Sequence, residues 1–211
     1  MKILFVMDEY FAANNGLSIS SQRFAAELRA LGHDVRVLAG DRSGTPDFPL
    51  PEYRMPVFDG LIKHQGMSFA EADDRKIEEA VRWADVVHLE DCFVVAHHAA
   101  KIARRLGKAC TCACHLYPEN ITSSLGLQEA RLLNRAILLG FRDYVFRYCS
   151  DIQCPTVDVA DRLSRAGCGA RLHVISNGVG PAFPFRREEK PVWLRGKFVL
   201  LMVGRFSREK R

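Results

Sequence analysis

The chain has 211 residues, 48% hydrophobic and 26% charged, proportions that suit one large globular domain or two small ones with a sizeable core. Its longest apolar runs, such as FVLLMVG from Phe198 to Gly204, fall far short of the roughly 20 residues of a membrane-spanning helix. The opening MKILFVMDEY is too short in its apolar part for a secretory signal, so a cytoplasmic protein is expected. The formal net charge is +5, but nine of the 30 Lys and Arg and only three of the 25 acidic residues lie from Gly178 onward, which leaves the body near neutral and argues against nucleic acid as a partner.

Lys2 to Met7 is a short apolar run rich in branched residues, the pattern of a buried central strand in a parallel sheet. A polar loop, Asp8 to Gly16, leads to Leu17, Phe24, Leu28 and Leu31 at helical spacing, closed by Gly32. Asp34 to Leu38 reads as a second strand, and Tyr53 to Met55 as a third. Ser68 and Glu71 have the spacing of a capping box, predicting a helix whose inner face is Phe69, Ile77, Ala80 and Ala84. Asp85 to Leu89 reads as a strand, Val94 to Leu106 as a helix ended by Gly107, and Lys108 to Cys114 as the next strand. Leu125 to Tyr148, largely apolar with four interspersed arginines, predicts a long helix broken near Gly140. Asp151 to Cys154 is a short strand, Pro155 and Thr156 open a helix that stops at Gly167, and Arg171 to Ile175 is a further strand. Strands alternating with helices predict an α/β fold with a doubly wound parallel sheet.

Gly180 to Gly196 is rich in proline and charge, as interdomain linkers are. The apolar run Lys197 to Val203 then either docks as a last strand on the first sheet or begins a second domain.

Cys110, Cys112 and Cys114 stand at every second position of one strand and therefore share a face. Zinc pairs sit on turns as C-x2-C, and none occurs here, so a metal site is not expected and the cysteines read as small buried packing residues. The seven cysteines show no C-x-x-C motif and read as free thiols. His97 and His98 read as a surface pair.

Ligands of open parallel sheets bind outside the carboxyl ends of the strands. Asp8 to Gly16, Glu90 with Asp91, and His115 to Asn120 all fall at that edge and are expected to line one cleft. A dinucleotide fingerprint is absent after the first strand, where NNGLS supplies the single Gly16. A glycine opening a helix still lets a phosphate approach the positive helix end. Arg205 and Lys210, in the segment GRFSREK after an apolar run, offer a guanidinium fork and an ammonium suited to a diphosphate.

The order of MKILFVMDEYFAANNGLSISSQRFAAELRALGHDVRVLAG, ADVVHLED, the strand ending in His115, HVISNGVGPAF and VGRFSREK resembles the N-terminal part of a family 4 glycosyltransferase of the GT-B fold. The resemblance implies a Rossmann-like acceptor-side domain over 1–179, a linker over 180–196, and over 197–211 the first strand and phosphate loop of a truncated donor-binding domain. It implies a retaining transfer of a sugar from a nucleotide-sugar donor, without metal or other cofactor, to a saccharide or lipid-linked acceptor. His115 would hydrogen-bond the donor sugar as the catalytic-site residue. Gly16, Arg205 and Lys210 would bind the donor diphosphate, and Asn14, Asn15, Glu119 and Asn120 would contact the acceptor. The family commonly has proline where Ser176 stands and aspartate where Gly180 stands.

With the second half absent, the 211 residues alone are expected to bind donor weakly and to catalyse little or nothing. Two other readings stand beside this one. In the first, the chain is a non-catalytic GT-B half-domain whose 125–148 stretch docks peripherally on an anionic membrane, at the inner face, or on a partner; the plain alternative for that stretch is a core helix with snorkelling arginines. In the second, it is a fragment of a nucleotide-sugar epimerase, disfavoured because GRFSREK resembles the transferase pattern.

Overall fold

The computed structural model describes residues 1–13, 15–40, 44–53, 68–123, 126–180 and 188–203. Nine strands are formed among them: β1 (Lys2–Val6), β2 (Asp34–Gly40), β3 (Phe48–Leu50), β4 (Glu52–Tyr53), β5 (Phe69–Ala70), β6 (Val86–Leu89), β7 (Ala109–Ala113), β8 (Asp151–Cys154) and β9 (Arg171–Val174). Helices connect them: α1 (Gly16–Ala30), α2 (Asp74–Trp83), α3 (Val94–Arg105), α4 (Pro118–Thr122), α5 (Arg131–Tyr144) and α6 (Val157–Arg165). Seven strands form one sheet in the order β3-β2-β1-β6-β7-β8-β9, every pair parallel, while β4 and β5 make a separate antiparallel pair.

Strand alternation sorts the core into two layers. Ile3, Phe5, Val35 and Val37 pack on one face beneath α1, with Ala25, Leu17, Phe24 and Leu28. Leu4, Val6, Leu38, Val87 and Leu89 face the other way, against Ile77 and Ala80 of α2, Val95 and Ala99 of α3, and Val159 and Leu163 of α6. Each fully buried leucine or phenylalanine contributes roughly 1.5–3 kcal/mol of transfer free energy. A sheet covered on both faces needs continuous apolar strands, which is the pattern of the first strand. This is the doubly wound, Rossmann-like α/β arrangement.

Helix ends follow local chemistry. Gly32, Gly107 and Gly167 take positive φ values of 84°, 65° and 71° just past α1, α3 and α6, a backbone state that glycine enters without a Cβ clash. The helix predicted from Ser68 instead begins at Asp74, because Asp73 is the cap: its side chain accepts from the backbone N–H groups of Arg75 and Lys76. Phe69 and Ala70 are thereby free to pair as β5 with β4. The third strand of the main sheet is Phe48–Leu50, a three-residue segment containing Pro49, where proline is tolerated because β3 is an edge strand.

The stretch read as one helix over 125–148 is, among its described residues, α5 followed by a short 3-10 turn over Phe146–Tyr148, and Gly140 lies inside α5 without breaking it. The helix packs its Leu138 and Phe141, partly buried, against the core. Its one buried residue is Asn134, while Leu132 is 85% exposed. His97 is no simple surface residue, since its ring stacks on Tyr144 at 3.8 Å and its Nδ1 meets the Tyr144 carbonyl.

The run Lys197–Val203 takes no place in the sheet, whose last strand on that side is β9. Its apolar side chains are uncovered among the described residues, Phe198 being 90% and Val203 89% exposed.

Candidate functional site

The chain runs outward from β1 to β2 and β3, then crosses to β6 on the other side of β1 and continues through β7 and β8 to β9. Strand order reverses at the β1/β6 junction, so the loops leaving the carboxyl ends of these two strands diverge and open a crevice. Asp8 follows β1, Glu90 and Asp91 follow β6, and His115 follows β7.

Glu90 is the focus of this edge. It continues the parity of His88, opposite to the apolar Val87 and Leu89, and lies beneath α1, where it is 1% exposed. One carboxylate oxygen lies 3.3 Å from Nε2 of His115, the other 3.7 Å from Nε2 of His88. Both contacts are within ion-pair range, yet neither Glu90 oxygen has a hydrogen bond of good angular geometry among the described residues. Burial pushes the Glu90 carboxyl up, but His115, His88 and the Ser21 hydroxyl of α1 together outweigh it, holding the group below the usual glutamate range. It stays ionised in the interior. Burial also lowers His88, against the pull of Glu90, and Nδ1 of His88 lies 2.8 Å from the Thr111 hydroxyl on β7.

His115 presents only 8% of its side chain to solvent. Its second ring nitrogen, Nδ1, faces Nδ2 of Asn177 at 3.5 Å, in the loop that leaves β9. That loop is fixed from two sides. Arg23 of α1 donates to the carbonyls of Asn177 and Gly178, at 3.2 and 2.9 Å, and Gln153 of β8 donates to the Ile175 carbonyl at 3.0 Å.

Asp8 and Asp91 form a second buried group. The Asp8 backbone N–H donates to Asp91 Oδ2 at 2.8 Å, and the Ala70 N–H donates to Asp8 Oδ1 at 2.9 Å, so the pair ties β5 to the ends of β1 and β6. Burial, then the charge of Asp91, pushes the Asp8 carboxyl well above the usual aspartate range, and Asp8 Oδ2 is buried without a partner among the described residues. Burial likewise pushes Asp91 up to about 6.

The other residues singled out by sequence are placed as follows. Gly16 opens α1, and no atom lies within 4 Å of where a Cβ would stand, so the space beside it is open. Asn15 caps that helix, accepting from the Leu17 N–H at 3.0 Å. Asn120 caps α4, its Oδ1 accepting from the Tyr117 N–H at 2.9 Å. Glu119 pairs with Arg162 of α6 at 2.8 Å, and that guanidinium lies over the Tyr117 ring. Asn14, Arg205 and Lys210 lie outside the described residues.

The cysteine row is packing. Cys110, Cys112 and Cys114 lie buried in one layer of the core, with Cys110 Sγ 3.7 Å from Cys149 Sγ. Burial pushes the Cys114 thiol up to about 12, far from the thiolate that would react or bind metal. No group of three His, Cys, Asp or Glu among the described residues is arranged to hold a metal ion.

The sequence places Glu90 at this edge without showing its contact with His115, and Asn177 stands in it only within the segment HVISNGVGPAF. Strand order and loop closure bring the three together from separate parts of the chain.

The fold and this edge define a Rossmann-like α/β domain whose buried Glu90–His115 pair lies at the topological switch point. The sequence matches the Glycosyltransferase Family 4 model over residues 14–183, and the chain belongs to that family. Among solved structures, HepE of Anabaena in complex with UDP-glucose is similar, at 13% identity and a TM-score of 0.53, covering 86% of this chain and 47% of that one. A putative UDP-N-acetylglucosamine 2-epimerase from Listeria monocytogenes is similar at 14% identity and a TM-score of 0.46, with 79% and 42% covered. The likeness to HepE is one of fold, the GT-B fold, and this chain spans about half the length of that protein's chain. No curated protein matches the sequence.

Proposed function

We propose that this chain forms the acceptor-side half of a retaining glycosyltransferase cleft, in which a sugar passes from a nucleotide-sugar donor to a saccharide or lipid-linked acceptor. One observation carries the reading: within a chain of this family, His115 sits beside the buried, ionised Glu90 at the switch point of the sheet. His115 meets the donor sugar. Gly16 at the open start of α1 admits the diphosphate, whose developing charge Arg205 and Lys210 neutralise in place of a metal. The acceptor enters along Asn14 and Asn15 and beside α4, where Glu119 and Asn120 shape the wall. The uncovered apolar run after the linker belongs to the donor-side half.

UDP-glucose, the ligand of the HepE structure, is the probe. Titrated calorimetrically into the 211-residue chain it is expected to bind weakly, with binding lost in His115→Ala, and no turnover is expected from either chain. Turnover above the His115→Ala control would overturn the half-cleft reading. Equal binding by the two chains would remove His115 from the donor site.

A second role is favoured by the exposure of α5. Arg131 and Arg135 share that helix with the exposed Leu132 and Leu133, a combination that suits the interface of an anionic membrane. No helix among the described residues is long and apolar enough to cross one. Sedimentation with vesicles containing anionic lipid is expected to pull down the wild-type chain and to release it when Arg131, Leu132 and Arg135 are replaced by Ala, Ser and Ala. Equal sedimentation with neutral vesicles would refute an electrostatic contact.

A further inference from the structure

The geometry points to Glu90 as the positioning residue of this site: its carboxylate holds the His115 proton on Nε2 and so presents Nδ1 as an acceptor for a ligand hydroxyl. The ligand's being a sugar rests on the glycosyltransferase reading above, whereas the placement of the proton does not.

Two neighbours demand the same tautomer independently. An ionised carboxylate only accepts, so the charge of Glu90 favours hydrogen on the ring nitrogen that faces it at 3.3 Å, although the angle between the two groups is too poor for a hydrogen bond. On the far side, Asn177 turns its amide nitrogen to Nδ1 at 3.5 Å, and its own carbonyl oxygen faces a donor. Gln153 Nε2 lies 3.5 Å from Asn177 Oδ1 while donating to the Ile175 carbonyl, so Oδ1 accepts there and Nδ2, a donor, is left facing the ring. A donor opposite Nδ1 requires a lone pair on it. His88, the other imidazole against Glu90, is held neutral by burial and is 3.7 Å away, so His115 is the nearer partner of the carboxylate.

The two holds differ in strength. At 3.5 Å the Asn177 contact is long for a hydrogen bond, and Asn177 is only partly buried. A ligand hydroxyl can therefore take the Nδ1 lone pair while Glu90 keeps the ring from turning. The same arrangement rejects a phosphate oxygen at that point, because an acceptor facing an acceptor gains nothing. Glu90 acts through His115, and its own oxygens stay inside.

The proton is read directly by long-range proton–nitrogen NMR on histidine-labelled chain at about pH 8, above the ordinary imidazole range. The His115 signals are assigned by their loss in His115→Gln. Wild type is expected to show hydrogen on Nε2 and a bare Nδ1. Glu90→Leu is expected to lose that preference, and Asn177→Asp, which sets an acceptor against Nδ1, to bring hydrogen onto Nδ1. A wild-type ring protonated on Nδ1 or on both nitrogens overturns the proposal, as does a folded Glu90→Leu chain with the wild-type pattern. Should Glu90→Leu fail to fold, Glu90→Gln decides: with an amide nitrogen free to turn toward Nε2 the preference is expected to weaken, and an unchanged preference is equally fatal. Adding UDP-glucose is expected to move the Nδ1 resonance toward that of a hydrogen-bonded nitrogen, beyond any change given by UDP. An unmoved resonance with the wild-type pattern intact would count against the donor reading and not against the placement of the proton.

Discussion

Asp8→Asn is expected to raise the thermal unfolding midpoint at about pH 8 and to leave it close to wild type at about pH 4. In the folded chain burial and then the Asp91 charge push the Asp8 carboxyl well above its usual range, and Asp91 itself reaches about 6. An unfolded aspartate titrates near about 3.9, so above that pH the folded state binds more protons than the unfolded one and stability falls as pH rises through the folded values. Asparagine mimics the protonated acid: its Oδ1 still accepts from the Ala70 N–H, and no charge is left to oppose Asp91. Relief of one buried, uncompensated charge falls within the roughly 0.5–3 kcal/mol span of ordinary point substitutions. For a chain of this size that is at most roughly 10 °C. Circular dichroism melts at the two pH values decide it. An equal loss of stability at both would mean that the carboxylate is needed as such.

Arg23→Ala is expected to loosen the loop after β9 and, with it, the proposed donor site. Its guanidinium donates to two successive carbonyls, Asn177 and Gly178, from a helix on one face of the sheet to a loop at the sheet's edge. Hydrogen bonds from charged donors are worth about 1.5–3 kcal/mol. Arg23 is partly exposed, and the lower end of that range applies. The amide of Gly178, which donates to the Ser176 hydroxyl, is then expected to exchange about tenfold faster. UDP-glucose binding should weaken as it does in His115→Ala. Exchange and binding both at wild-type levels would show that Gln153 alone holds the loop.

These expectations rest on contacts that differ in how far the sequence announces them. The strand at Lys2 was legible because a strand buried on both faces is written as an uninterrupted apolar run, and those at Asp151 and Arg171, DIQC and RLHV, because polar and apolar residues alternate between turn signals. The ends of α1, α3 and α6 were legible because glycine is the residue that enters the left-handed state without strain. The helix start at Ser68 misled, because a capping box matches by spacing alone, and Asp73 offers the better cap next to the apolar face. β3 went unseen because three residues that include a proline carry no period. The exposure of Leu132 and Leu133 at the start of α5 was hidden for a related reason. Its leucines repeat at a helical spacing, and that spacing gives a face without saying whether anything covers it.

By itself the sequence determined the α/β class, the family, the glycine-closed helices and the packing role of Cys110, Cys112 and Cys114, all of which follow from neighbours along the chain. Only the tertiary structure decided that Glu90, His115 and Asn177 meet. They come from three loops more than 20 residues apart at the nearest, and a parallel sheet brings them together by strand order, which no local pattern encodes. The charge state of the site was decided there as well, since burial and opposed partners, not residue type, set whether Glu90 keeps its charge and Asp8 keeps its proton.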